Sequence, residues 1–60
     1  MKTIKLQDGR GTYYFNENGV YHNDQGPADI RNDGQVRYFY DGVQMSKEEW
    51  ERYLELLAFV

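Results

Sequence analysis

The feature that most constrains this fold is a set of repeated turn signals. Four of the six glycines follow Asp or Asn directly, at Asp8-Gly9, Asn18-Gly19, Asp33-Gly34 and Asp41-Gly42. Because Asn and Asp tolerate a positive φ and Gly adopts it freely, each pair indicates a reversal of the chain. The stretches between these pairs are rich in Tyr, Phe, Val and Thr, a composition typical of short β-strands.

This pattern predicts an antiparallel β-meander of about five or six short strands. Asp41-Gly42, flanked by Tyr40 and Val43, is typical of a two-residue hairpin turn. The strands are expected at residues 2–6, 12–16, 20–22, 28–31, 35–40 and 43–45.

Two segments of the chain repeat each other. "DGRGTYYFNENGV" and "DGQVRYFYDGV" both begin with Asp-Gly, skip three residues, continue with three aromatics, and turn through Asn or Asp to Gly-Val. The offset between the copies is 25 residues up to the aromatics and 23 after them. Periods of this size indicate stacked hairpin units, which bury their faces only against neighbouring units.

The C-terminal segment predicts a helix. Ser46 precedes Glu49 by three residues, which is a capping box. Apolar residues then recur at helical spacing, at Trp50, Tyr53, Leu54, Leu57 and Ala58. We therefore expect an α+β fold in one domain of residues 1–60. Hairpin repeats occupy 1–45, and a helix over 46–58 lies on the sheet with Trp50 near its middle.

Composition limits the ways in which so small a domain can be stabilised. A chain of 60 residues buries only about 60% of the surface that its unfolded form exposes. Cysteine is absent, which excludes disulfides and thiolate metal sites. Ten aromatic residues supply large contact areas instead. The domain is therefore expected to be stabilised by aromatic packing or by association with another chain.

The balance of charges indicates the class of partner, and the length of the apolar runs indicates where the protein is located. Ten acids oppose seven bases, and residues 41–60 alone carry five acids against two bases. A free nucleic-acid binder normally shows a basic stripe, so a nucleic-acid partner is not expected. "MKTIKLQDGR" lacks the apolar run of a signal peptide, and "LELLAFV" is too short to span a bilayer. The expectation is a cytoplasmic protein without membrane contact.

No catalytic or cofactor site is expected. His22 and Asp24 have the spacing of two ligands on one strand, but one imidazole and one carboxylate do not complete a metal site. Nucleophilic catalysis needs a nucleophile beside a base, and the single Ser46 is better explained as a helix cap. Gly26-Pro27-Ala28 lacks the glycines, lysine and following helix of a phosphate-binding loop.

The repeats resemble a known family. "GTYYFNENG" and "RYFYDGV" are similar to variant MORN repeats, and "HNDQGPADIRNDG" is similar to a His-x-Asp-x-Gly-Pro-Ala repeat of small phage and giant-virus proteins. The resemblance covers about residues 9–45. This chain departs from those many-copy arrays by having about two copies before the helix. The resemblance implies a β-repeat fold that serves binding without enzymatic chemistry.

The aromatic clusters are the best candidates for a binding site. If Tyr14 and Phe39 point to one face of the sheet, then Tyr13, Phe15, Tyr38 and Tyr40 point to the other. One of the two aromatic sets is expected to remain exposed beside Arg10, Arg31 or Arg37. Exposed Tyr beside Arg is typical of protein interfaces and also resembles a stacking platform for single-stranded nucleic acid. The acidic balance favours a protein partner.

These observations lead to an expected function. The chain is expected to be a non-catalytic protein-binding module, for instance a phage-encoded inhibitor of a host factor such as a component of a defence system. The anchors would be Tyr13, Phe15, Tyr38 and Tyr40. Three acids of the helix would steer the protein toward a basic patch on the host partner, namely Glu48, Glu51 and Glu55. The alternatives are a single-stranded nucleic-acid module and a self-assembling structural protein. The apolar C-terminal residues Leu56, Phe59 and Val60 would favour a homo-oligomer.

Overall fold

The computed structural model describes residues 2–59 and contains five antiparallel strands followed by one helix. The strands are β1 (Ile4–Gln7), β2 (Gly11–Phe15), β3 (Asp29–Arg31), β4 (Val36–Tyr40) and β5 (Val43–Met45), and the helix is α1 (Lys47–Ala58). The strand order in the sheet follows the order along the chain. The predicted meander and the α+β fold class are therefore confirmed.

The segment between β2 and β3 differs from the prediction. Residues 20–22 were expected to form a strand, but Tyr21 makes only an isolated bridge with Phe15. The backbone of this segment bonds to two strands: His22 N–H donates to Tyr14 C=O at 3.0 Å, and Asn23 N–H donates to Phe39 C=O at 3.2 Å. Since β3 is only three residues long, the segment fills the gap that β3 leaves between β2 and β4.

Strand register divides the side chains between two faces. Tyr13 pairs with Asp29 and Asp29 pairs with Arg37, so these three side chains share one face. We call it the open face, because the helix packs only against β4 and β5 and lies on the other side. Its strand residues include Ile4, Leu6, Tyr13, Phe15, Asp29, Arg31, Arg37 and Phe39.

The opposite face, which we call the helix face, packs against α1 at β4 and β5. The Trp50 ring lies 4.9 Å from the Tyr38 ring, and its indole Nε1–H donates to Asn23 C=O at 2.9 Å. Burying Trp50 therefore leaves no polar atom of its ring without a partner. The predicted capping box is present, with Glu49 N–H donating to Ser46 Oγ and Ser46 N–H donating to Glu49 Oε1.

Candidate functional site

The seven residues predicted as a binding site lie in three separate places. Tyr13 and Phe15 are on the open face, whereas Tyr38 and Tyr40 are on the helix face. The prediction that these four aromatics share one face is therefore wrong. Three exposed carboxylates form a stripe along the outer side of α1, at Glu48, Glu51 and Glu55.

The strand register explains this error. Through β3, Tyr13 is aligned with Arg37, which is 24 residues further along the chain. The repeat offset of 25 residues differs from this alignment by one. Because side chains alternate along a strand, a one-residue difference places equivalent residues on opposite faces. Tyr14 thus shares the helix face with Tyr38 and Tyr40, and Phe39 shares the open face with Tyr13.

Tyr38 and Tyr40 pack against the helix. Tyr38 contacts Trp50, while the Tyr40 ring lies 5.0 Å from Tyr53 and 4.6 Å from His22. Burial raises the pKa of Tyr40 above its ordinary value. Both tyrosines are half-buried and contribute to the core.

Tyr13 is also largely buried, with 8% of its surface exposed. Its hydroxyl donates to Asp8 Oδ1 at 3.2 Å. Burial raises the pKa of Tyr13, and the hydrogen bond to Asp8 adds to this effect. Backbone donation from Arg10 N–H is the largest cause of the lowered pKa of Asp8. Tyr13 therefore orders the β1–β2 turn from the open face.

A row of stacked rings crosses the middle of the open face. The ring centroids of Phe15 and Tyr21 are 4.9 Å apart with an interplanar angle of 20°, and those of Tyr21 and Phe39 are 4.8 Å apart with an angle of 24°. The Arg37 guanidinium lies 5.4 Å from the Phe39 centroid and 5.8 Å from that of Tyr21. Sequence reasoning missed Tyr21, because it lies outside both aromatic triplets.

A buried carboxylate positions the arginines of the open face. The Asp29 side chain is 0% exposed, and its Oδ2 accepts from Arg37 Nε at 2.6 Å and lies 2.5 Å from Arg37 Nη2. Arg31 Nε lies 3.6 Å from the same oxygen. A buried charge requires such pairing. The Arg37 side chain remains 40% exposed and presents its charge to solvent.

Aliphatic side chains on β1 complete the surface. Ile4 is 45% exposed and Leu6 is 53% exposed, and both lie on the open face. Contiguous exposed apolar surface with polar residues at its rim is typical of interaction sites. We define the contact patch as Ile4, Leu6, Phe15, Tyr21, Arg31 and Arg37.

His22 is enclosed in the fold. Its Nδ1 accepts from Asp41 N–H at 2.9 Å, and its ring is fully buried against Tyr40. Asp24 is exposed and accepts from Gln25 Nε2 at 3.3 Å. Over residues 2–59, no three His, Asp or Glu side chains come together in a way that could hold a metal ion.

The only helix among the described residues, α1, has twelve residues, and none in this part of the chain has the length and apolarity needed to cross a membrane. No protein-family model, curated protein or solved structure matches the chain.

Proposed function

We propose that this protein is a non-catalytic module that binds another protein through the contact patch on the open face. The observation that carries the proposal is that α1 packs only on the other side of the sheet, at β4 and β5, while Ile4 and Leu6 stand exposed on the open face beside Arg31 and Arg37. Aromatic and Arg side chains are enriched in the energetically important parts of protein interfaces. The contact patch contains both, and Asp29 holds Arg37 in place before a partner arrives.

The packing of the ring row favours a protein over single-stranded nucleic acid. A stacking platform offers the flat faces of its rings to successive bases. Here Tyr21 has Phe15 on one side and Phe39 on the other, so both of its faces are occupied. The acidic stripe on α1 would in addition repel phosphates. A mobility shift with single-stranded DNA at low salt tests this alternative.

The position of the acidic stripe assigns it a different role from that of the contact patch. Glu48, Glu51 and Glu55 lie on α1, on the opposite side of the sheet from the open face. One flat partner surface therefore cannot contact both regions. In this proposal the contact patch makes the interface, and the stripe acts through long-range electrostatic steering.

The narrower form of the proposal is that the partner is a host factor, such as a defence-system component, and that the protein is a phage-encoded inhibitor. The repeat resemblance supports this form. The third candidate, a self-assembling structural protein, would use the same contact patch between copies. Sedimentation of the protein alone separates these two possibilities, because only the structural protein gains mass with concentration.

Affinity capture with matched variants tests the proposed function. Leu6→Glu puts a charge into the contact patch, and Leu56→Glu makes the same change at an exposed position on α1. We expect immobilised wild-type protein and Leu56→Glu to retain the same host protein, and Leu6→Glu to lose it. Capture of nothing above background, or equal capture by all three proteins, would contradict the proposal.

A further inference from the structure

Strand β1 is one of the two edges of the sheet, the other being β5, and it is the most exposed of the strands. All four residues of Ile4–Gln7 are exposed, and β1 is bonded only to β2. Free edges carry unpaired backbone groups that can accept a further strand. The edge is continuous with the contact patch, since Ile4 and Leu6 belong to both.

The hydrogen bonds of β2 show which backbone groups of β1 are free. Tyr14 N–H donates to Ala28 C=O at 2.8 Å, and Tyr14 C=O accepts from His22 N–H at 3.0 Å. Both Tyr14 groups thus point away from β1, which makes Lys5 and Tyr14 a non-hydrogen-bonded pair. The N–H and C=O of Lys5 therefore point outward from the sheet, and those of Gln7, two residues further, do the same.

The two sides of this edge differ in chemistry. Ile4 and Leu6 expose aliphatic surface on the open face, whereas Lys5 lies on the helix face. There Lys5 lines a cleft of about 520 Å³ and is the only charged residue among the described residues of its lining, whose other members are Thr3, Tyr14, Asn23, Gln25, Gly26, Pro27 and Ile30. Within β1, Lys5 and Gln7 are the residues of this side. The edge is therefore aliphatic on one side and carries a single positive charge on the other.

We propose that the β1 edge binds an extended segment of the partner protein as a sixth strand, and that aliphatic and acidic residues alternate in this segment. The inference rests on the proposed function and specifies the chemistry of the partner. Main-chain hydrogen bonds to Lys5 and Gln7 hold the added strand, which is the usual basis of affinity in strand addition. Its aliphatic side chains lie beside Ile4 and Leu6, and its acidic side chains lie at the mouth of the cleft beside Lys5.

A second copy of this chain fits the edge less well. Antiparallel pairing of two β1 strands centred on Lys5 would place two Lys5 side chains directly opposite each other. Like charges on neighbouring strands are unfavourable, and lysine on an edge strand is a common device against such pairing. Charge complementarity therefore selects an acidic partner segment.

An NMR titration of ¹⁵N-labelled protein tests the inference. The probe is a short capped peptide in which Val and Glu alternate, and the control peptide carries Lys in place of Glu. We expect amide shifts at residues 3–7 with the Glu peptide and affinity lower by about tenfold for the Lys peptide. Amide shifts only at other residues, or equal affinity for both peptides, would overturn the inference. Shifts at residues 3–7 on concentrating the protein alone would assign the edge to a second copy and overturn it too.

Two variants isolate the backbone and charge contributions. Gln7→Pro removes an outward N–H but no bond to β2, so it is expected to abolish peptide binding while Gln7→Ala retains it. Lys5→Glu is expected to reverse the preference between the two peptides, and it keeps the test conclusive if Gln7→Pro does not fold. An unchanged preference in Lys5→Glu would overturn the inference.

The same variants separate this inference from the proposed function. If folded Gln7→Pro still captures the host protein that Leu6→Glu loses, the contact patch binds the partner without strand addition, and only the inference fails. If wild-type protein captures no partner, the proposed function fails, and the inference with it.

Discussion

Asn16 Nδ2 donates a 2.7 Å hydrogen bond to Asp41 Oδ1 and thereby joins the turns of the two repeat copies. The two residues are equivalent in the repeats, at the offset of 25. Asn16 is 1% exposed, and Asp41 has a φ of 49°, as the first residue of a two-residue hairpin turn often has. Asp41 N–H also donates to His22 Nδ1. The hairpins are thus connected by a polar contact at their turns.

This contact predicts a stability loss in Asn16→Ala. The substitution removes the bond to Asp41 and the Oδ1 acceptor for Asn18 N–H at 2.9 Å. A typical hydrogen bond contributes about 0.5–1.5 kcal/mol, and one to a charged group about 1.5–3 kcal/mol, so we expect the free energy of unfolding in urea to fall by about 1–3 kcal/mol. Asn18→Ala alters an exposed side chain in the same turn and serves as the control. Equal losses in the two variants would mean that the contact between the copies contributes nothing.

A substitution at Gly11 is also expected to lower stability. A Cβ on Gly11 would collide with the backbone C=O of Ile30 on β3 and come within 3.0 Å of Arg31 Cα. Since backbone cannot move aside as a flexible side chain can, Gly11→Ala is expected to lower the free energy of unfolding by about 2–3 kcal/mol. Gly9→Ala is the matched control, because a Cβ there meets no atom within 4 Å. It is expected to change stability by about 0.5 kcal/mol or less.

Protonation of Glu49 is expected to account for part of the stability that the protein loses at low pH. Its carboxylate accepts from Ser46 N–H, and this bond lowers the pKa of Glu49 below its usual value. The stabilisation is therefore complete above the pKa of the unfolded chain and is lost as the pH falls through the lower pKa of the folded state. Glu49→Gln retains a capping acceptor but cannot titrate. We expect stability to fall less steeply below about pH 5 in this variant than in the wild type.

Unfolding in urea at a series of pH values measures this difference. Asp8 and Glu17, whose carboxylates accept backbone hydrogen bonds that lower their pKa values, are retained in both proteins. They supply the acid sensitivity that remains in Glu49→Gln. Parallel curves for wild-type and variant protein would exclude a contribution from the capping box.

Local signals made the turns and the helix predictable. The Asp41-Gly42 pair predicted a two-residue turn, and φ values of 49° and 83° confirm it. The Ser46–Glu49 spacing predicted the start of the helix for an equally local reason, since both hydrogen bonds close within three residues. Such signals depend on neighbouring residues only, so a single sequence contains them in full.

The assignment of residues to the two faces was not predictable in the same way. It depends on how β3 aligns Tyr13 with Arg37, and a shift of one residue exchanges the faces. The ring row has the same origin, because Tyr21 reaches Phe39 only through the segment that fills the gap beside β3. The Asp29–Arg37 pair spans eight residues and two strands. Pairing register is a property of the folded sheet, and a single sequence does not contain it.

The Asp29–Arg37 pair provides the last prediction. Arg37→Met keeps a long unbranched side chain but removes the guanidinium, which leaves the fully buried Asp29 carboxylate without its main partner. Breaking a buried pair on one side costs about 3–5 kcal/mol, which is a large part of the stability of so small a domain. We therefore expect Arg37→Met to be largely unfolded by circular dichroism. Arg31→Met is the control, because its Nε lies 3.6 Å from the same carboxylate and its side chain is 45% exposed.

The double variant Asp29→Asn, Arg37→Met separates lost pairing from lost packing. Asn carries no charge, so removing Arg37 no longer leaves a buried ion, and the double variant is expected to be more stable than Arg37→Met alone. If the double variant unfolds as readily as Arg37→Met, then the contact of the Arg37 guanidinium with the rings of Tyr21 and Phe39 stabilises the sheet, and its pairing with the buried carboxylate does not. In that outcome Arg37 would contribute to stability mainly through its contact with the ring row.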